Sequence, residues 1–441
     1  MRRSIPPRSR NMRTDVPPSL PPRAAPLRSG VSRASSTSLR VVIPFVLVAS
    51  ALALVSSHVP QSLSTHLRSI MSATTEKLPP DQVAAFNNLG FRLLAALHEP
   101  DALLSPYSIA AALSLVAVGS TPSSAVRSEF EQLLASGANT PIAPVTTTDK
   151  SVTLRSASAA VLTSLVLPTY KSTVTAAGAE LIQHPQSVEP INSWVSKATD
   201  GNIPSLFEQL PSPLVAIIIN AVFFQAAWTT SFDPAETRSQ KFSGEESVRM
   251  MRLKKQRFPY AECATPDGKG VQIAQMPYGD GSLVATFVLP SENSSLDNVI
   301  SALGEQGQTL WAQWTAKLST TKLDVMAIPR FKLKYGVKSI RDALKTFGLN
   351  SAFEENYQNP PYQLITDDKR AYLSDVLHAA TLEVTEEGTV ASAVTAAVIM
   401  LRSIPRPNPT FIAERPFLVA IQQNSTGGVL FIARVDNPVS P

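Results

Sequence analysis

Two periodicities run through the chain, one near 3.6 residues and one of two. From Asp81 to Glu99, Val83, Phe86, Leu89, Leu93, Leu94 and Leu97 fall close to helical spacing, with Asp81 placed to cap. Leu103 to Ser120 is mostly apolar and predicts a buried helix, opened by Ser105-Pro106 as a cap followed by a first-turn proline. Thr121-Pro122 repeats that opening and predicts a helix to Leu134; Thr169–Ile182 and Ile340–Phe347 read as further helices. Alternation marks strands at Thr153–Leu165, Val271–Met276, Leu283–Leu289 and Val325–Leu333. Val215 to Phe224, VAIIINAVFF, is nearly continuous in apolar residues, the pattern of a strand covered on both faces. Asn220 interrupts it. A lone asparagine there must find hydrogen-bond partners or cost a few kcal/mol.

The stretch from His378 to Ser403 carries the strongest pattern. Ala380 to Thr385 alternates as a strand, with Leu382 and Val384 on one face and Thr381, Glu383 and Thr385 on the other. Glu386, Glu387 and Gly388 follow, then Thr389 to Met400 without charge, proline or glycine. These residues are small or β-branched almost throughout. They suit a core strand, with Thr389, Ala391, Ala393 and Thr395 on one face, or a short buried helix. Arg402-Ser403 comes next, ahead of a proline-broken run.

Composition changes this picture little. At 441 residues, 44% hydrophobic and 17% charged, the chain is long enough for one large core or two modest ones. The net charge of +5 misleads, because residues 1–40 hold nine arginines against Asp15. That local surplus of eight leaves the remainder slightly acidic, and nothing in it argues for nucleic-acid binding. Residues 1–40 read as a disordered basic leader; the apolar run from Val41 ends in small residues by 57 and suits a signal peptide or signal-anchor. Residues 58–77 read as a linker and 78–441 as the folded domain. Secretion is the expectation, with a cytoplasmic product if translation starts at Met71. Asn293-Ser-Ser and Asn424-Ser-Thr are then glycosylation sequons. The basic stretch Arg249 to Arg257 reads as a solvated hairpin edge, where lysine discourages edge pairing, rather than as a polyanion site.

Catalytic chemistry has no foothold. There is no Gly-x-Ser-x-Gly elbow, HExxH, phosphate-binding loop or dinucleotide fingerprint. The single cysteine, Cys263, excludes an intramolecular disulfide framework, and no metal-ligand spacing is present. The chain does not read as an enzyme, and no cofactor or metal is expected. His378 is the one histidine in a strongly patterned context, and alone it reads as a satisfied core histidine.

Glu386-Glu387-Gly388-Thr-x-Ala-x-Ala, eight residues after a histidine, resembles the hinge of the serpin reactive loop. FIAERPFLVAI and GGVLFIARVDNP resemble the family's closing strands, SPYSI its helix B, INSWV and NAVFFQAAW further landmarks in serpin order. The resemblance implies an α+β serpin fold, three β-sheets surrounded by about nine helices with an exposed reactive-centre loop over about 386–410. It gives Ser105, Ser108, Asn220 and His378 as shutter positions that hold the central sheet closed, and Trp228 as the sheet-top position where insertion begins. Ser158 stands where many members carry asparagine. The proline- and threonine-rich Ser136–Lys150 departs from the family's glycosaminoglycan helix, which argues against heparin activation through it. Counting sixteen residues from the hinge Glu386 places the reactive bond at Arg402-Ser403, a bond of the kind trypsin-like serine proteases cut. The implied function is suicide inhibition of such a protease by a monomer through a covalent acyl complex. The alternative is a non-inhibitory carrier or chaperone. Insertion demands small, uncharged inward residues. Thr389, Ala391, Ala393 and Thr395 meet that demand.

Overall fold

The structure is a computed structural model that describes residues 78–145, 147–201, 203–212, 214–244, 246–388 and 407–438. The leader, apolar run and linker, the hinge positions Thr389, Ala391, Ala393 and Thr395, and Arg402-Ser403 lie outside the described residues.

Helix α1 (Pro80–Leu97) buries Phe86, Leu89, Leu93 and Leu94 on its predicted face. Asp81 is not its cap; its carboxylate accepts instead from the Ser136 N–H at 3.1 Å. Leu103–Leu104 form a short strand, β1, ahead of α2 (Pro106–Val118). Ser105 caps α2 by accepting from the Ser108 N–H, with Pro106 in the first turn as the sequence predicts. The second Pro-containing opening misleads: α3 (Ala125–Leu134) is capped by Ser124, and the Thr121 hydroxyl donates to the Pro360 carbonyl at 2.6 Å. After a short 3₁₀ turn at Ala135–Ala138, the described residues between 139 and 151 form no helix. The chain is tied down through side chains of α2. The Tyr107 hydroxyl donates to Ala143 O and accepts from Val145 N–H, and Ser114 accepts from Ile142 N–H.

Strand β2 (Val152–Leu162) leads to α4 (Pro168–Ala176), which is shorter than its predicted span. Gly178 at φ +78 ends the helix, and the residues after it form strand β3 (Glu180–Gln183). Helix α5 (Glu189–Ala198) precedes β4 (Ala216–Ala226). Strands β5 (Arg238–Phe242), β6 (Glu246–Ala264), β7 (Gly270–Tyr278) and β8 (Leu283–Pro290) follow. The longest helix, α6 (Leu296–Ala316), has no counterpart in the predicted elements; Ser295 caps it. The single strand expected over Val325–Leu333 is two, β9 (Ser319–Pro329) and β10 (Phe331–Ser339), broken after Pro329 and belonging to different sheets. Helix α7 (Arg341–Thr346), β11 (Asp375–Val384), β12 (Thr410–Ile412), β13 (Phe417–Gln423) and β14 (Val429–Val435) complete the chain.

Seven α-helices and two hydrogen-bonded sheets are found among the described residues. One sheet has nine strands, in the order β1-β14-β13-β8-β7-β6-β9-β12 with β5 on β6. Three sheets are expected, and two arise because β6 and β9 are long enough to run through both halves of this one. The other sheet has five strands in the order β10-β11-β4-β2-β3. Its strand β4 faces two cores. Ile218, Val222 and Phe224 point into the main core shared with α2 and the nine-stranded sheet. Ile217 and Ile219 join Val161, Ile191 and Leu377 in a second cluster. Burial on both faces is what the apolar run of β4 predicts.

Candidate functional site

Two features of the five-stranded sheet gather the residues singled out by sequence. The first lies mid-sheet. Asn220 on β4 is paired in register with His378 on parallel β11 and with Ser158 on antiparallel β2, so three polar side chains form one row across three strands. Beneath the row lies the N-terminus of α2, which supplies Ser105 and Ser108. The Ser105 N–H donates to His378 Nε2 at 3.2 Å, so that nitrogen carries no proton. The proton therefore sits on Nδ1 and is donated to Asn220 Oδ1 at 3.2 Å. Asn220 Nδ2 then points at oxygens, donating to Ser108 Oγ at 2.6 Å and Ser158 Oγ at 3.2 Å. Ser108 Oγ meets Ser156 Oγ at 2.5 Å. Serine at 158 thus still takes part in the network.

His378 is fully buried, and burial pushes its pKa down to about 3. Geometry agrees with the neutral form. A proton on Nε2 would face the Ser105 N–H, donor against donor, with no carboxylate in the network to compensate. Both ring nitrogens are taken up, Nε2 by the Ser105 N–H and Nδ1 by Asn220 Oδ1.

The second feature is the top of the sheet. β11 pairs with β4 only from Asp375 to Thr381, opposite Ile217 to Phe223. Leu382–Val384 and Phe224–Ala226 continue without pairing to each other. Above them the chain reverses. Thr385 and Gly388 exchange both backbone hydrogen bonds, N–H to carbonyl, at 2.9 and 3.2 Å, and Gly388 pairs antiparallel with Ala227. Trp228 holds this bend, its Nε1 donating to Thr385 O and its N–H to Glu387 O, both at 3.0 Å, while Phe232 N–H donates to Glu386 O. The Trp228 ring stacks on Tyr278 with centroids 4.2 Å apart. Glu386 is buried: it accepts from the Thr237 hydroxyl at 2.7 Å and faces Arg330 Nε at 3.4 Å, a charge contact with Arg330 only partly exposed. Gly388 has φ +122, and a Cβ there would lie 2.3 Å from Ala226 O, so no other residue fits this bend unchanged.

The structure thus brings Ser105, Ser108, Asn220 and His378 into one network, and Trp228, Glu386, Glu387 and Gly388 into another. Sequence reasoning missed Thr237, Arg330 and Ser156. The first two hold the Glu386 carboxylate from positions just before β5 and between β9 and β10, and only a partner search from a buried acid would have found them. Cys263 is a buried free thiol. Among the described residues no cluster of His, Cys, Asp or Glu could hold a metal.

A model of the family described as serpin (serine protease inhibitor) matches residues 84–438. The chain belongs to the serpin family. Antithrombin-III of Homo sapiens is 32% identical over 258 residues, 57% of this chain and 54% of its own length, so the match spans about half of that relative. Iripin-8 of Ixodes ricinus is 28% identical over 84% of this chain and 99% of its own. Among solved structures, the thermophilic serpin tengpin in its native state superposes with a TM-score of 0.70 at 22% identity, covering 82% of this chain and 96% of its own. At that identity the likeness speaks for the fold.

Proposed function

We propose that this serpin is a suicide-substrate inhibitor of trypsin-like serine proteases, cut at Arg402-Ser403. The observation that carries the reading is the folded bend Thr385–Gly388 standing over an unpaired stretch between β11 and β4. The protease serine attacks the Arg402 carbonyl; an ester forms, the peptide bond breaks and Ser403 becomes a new N-terminus. The freed chain beyond Gly388 then adds as a strand between β4 and β11, drawing the acylated protease with it before water can release it.

Register supports this path. With Gly388 opposite Ala227 and antiparallel, continuing the ladder sets Thr389, Ala391 and Ala393 opposite Ala226, Phe224 and Val222, and Thr395 opposite Asn220. The β4 residues of this set face the main core except Asn220, which faces the serines of α2. The incoming residues on that face are small and uncharged, and the one threonine hydroxyl at mid-strand meets the polar row. We also take the mature inhibitor to be a secreted monomer that begins after the apolar run ending near residue 57.

Mixing with trypsin tests the reading. A complex that survives denaturing electrophoresis is expected, and Arg402→Ala should slow its formation on the order of 10³-fold, since the trypsin pocket is built to pair the arginine charge. Loop cleavage with no complex would turn the protein into a carrier or chaperone of the same fold.

A further inference from the structure

A carboxylate outside both networks acts on the bend from its far side. Asp149 lies just before β2. Its Oδ1 accepts from the Ser151 N–H at 2.8 Å and from the Ser151 hydroxyl at 2.7 Å. Its Oδ2 accepts from the Asp280 N–H at 2.7 Å, in the turn between β7 and β8. These donors, the two of Ser151 ahead of that of Asp280, hold its carboxyl below the usual carboxylate range. The turn is shaped to receive it. Gly279 has φ +47, and a Cβ there would stand 1.8 Å from Asp149 Oδ2, so glycine is what lets the carboxylate reach the next N–H. Asn424, between β13 and β14, also ties the turn down, its N–H donating to Ser282 O at 2.8 Å and its Nδ2 to Gly281 O at 3.1 Å.

What the turn carries is the edge on which the bend sits. Beyond β4, Ala227 gives its N–H to Ser151 O at 3.1 Å and takes the Gly279 N–H on its carbonyl at 2.9 Å, while the Thr229 N–H donates to Pro277 O at 2.9 Å. Trp228, between them, turns its N–H the opposite way, to Glu387 O at 3.0 Å. Successive residues of an extended chain present their backbone groups to opposite sides. One side of residues 227–229 is therefore fixed by Ser151 and the β7–β8 turn, both held by Asp149. The opposite side carries Thr385–Gly388.

We propose that Asp149 is a positioning residue for strand insertion: by joining Ser151 to the β7–β8 turn it fixes residues 227–229 as the edge that seats the bend, and so sets how much of the serpin completes insertion and how much is released as cleaved substrate. The proposal rests on the inhibitory reading and adds to it a residue that touches neither the bend nor the shutter row. Its effect is one of preorganisation, since an edge held in place before the cut need not be ordered after it.

Asp149→Asn tests this, because it keeps the size of the side chain but sets an amide NH₂ against either the Ser151 or the Asp280 donors. In the uncut protein, hydrogen exchange should quicken about 10-fold at the Trp228 and Phe232 amides, the low end for losing a hydrogen bond to a charged acceptor. Those two amides are the ones that donate to Glu387 O and Glu386 O. The β4–β11 ladder around Asn220 should keep its protection. With trypsin, the rate of loop cleavage should hold while the share of serpin released as cleaved substrate rises about 3-fold. Gly279→Ala, which denies the carboxylate its seat, should do the same, and the double variant no more than either. Unchanged exchange at Trp228 and Phe232 would overturn the proposal. So would exchange that quickens evenly along the β4–β11 ladder, which makes Asp149 general support for the fold, or an unmoved partition in an active inhibitor. Should the wild type form no complex, exchange alone decides. Local quickening would keep Asp149 as the residue that positions this edge while the inhibitory reading falls, and unchanged exchange would remove both.

Discussion

A histidine held between a backbone N–H and an amide oxygen has its tautomer chosen for it, and His378 is such a case. The linkage follows in sign. Its folded pKa, about 3, lies below the ordinary 6.5, so the unfolded chain binds the proton first as pH falls. The contribution of the neutral ring is fully present above pH 6.5 and is lost progressively between 6.5 and 3. By pH 5 this amounts to roughly 2 kcal/mol. Denaturant unfolding of the uncut protein at pH 7.5 and 5.0 should show the loss, and His378→Gln should flatten that slope. A variant with the wild-type slope would place the acid sensitivity elsewhere. The need for partners at Asn220 was legible in the sequence, because an amide in VAIIINAVFF has no water to turn to. Which partners it takes was legible only through the resemblance, which names Ser108 and His378. Ser158 and Ser108 come from β2 and α2, Ser156 joins through Ser108 Oγ, and nothing local to any of the three marks it as part of a buried network.

At the scale of elements, if the freed segment inserts, continuing the register of the bend makes Thr395 the residue that meets Asn220. An arginine there would enter the main core side with no carboxylate in the row, and an unpaired buried charge costs several kcal/mol. Thr395→Arg should therefore leave cleavage by trypsin intact while most of the protein turns over as substrate. The enzyme-resistant fraction measured by titration should drop at least about 10-fold. An unchanged titration would remove Thr395 from the inserted strand. Helices with an apolar run and a cap, such as α2 with Ser105-Pro106, were readable from local sequence alone. Elements decided by a distant contact were not. Thr121 looks like a cap but gives its hydroxyl to Pro360, and Asp81 gives its carboxylate to Ser136. The strand after Gly178 forms because β2 offers an edge, which the residues themselves do not announce. The break between β9 and β10 sends one apparent strand into two sheets, a separation visible only once both sheets exist.

For the whole molecule, β11 and β4 pair no further than Thr381 and Phe223, which leaves room for a strand to start between them at the top of the five-stranded sheet. If the freed segment fills that room, cutting after Arg402 should raise the melting temperature by more than about 10 °C, the shift expected from several kcal/mol of new sheet and core in a chain of this size. Calorimetry before and after limited trypsin treatment measures it, and an unmoved transition would deny that the uncut form is metastable. The family was readable because its marks, from SPYSI to GGVLFIARV, are spread through the folded region. The fusion of two expected sheets into one nine-stranded ladder was not, since strand length depends on the β6 and β9 partners being long together.

The bend at Thr385–Gly388 bears on timing. Forming a hairpin requires a turn to nucleate before pairs can zip, and here that nucleus exists while the loop is still whole, clasped by Trp228 and seated against Ala227. After the cut, growth can begin at its first rung without a search. A hairpin otherwise takes on the order of 1–10 µs to form. On the inhibitory reading, the clock that races deacylation would then be set by how fast β11 peels from β4 at the Asn220–His378 row, which would make that hydrogen-bonded row the escapement of the mechanism.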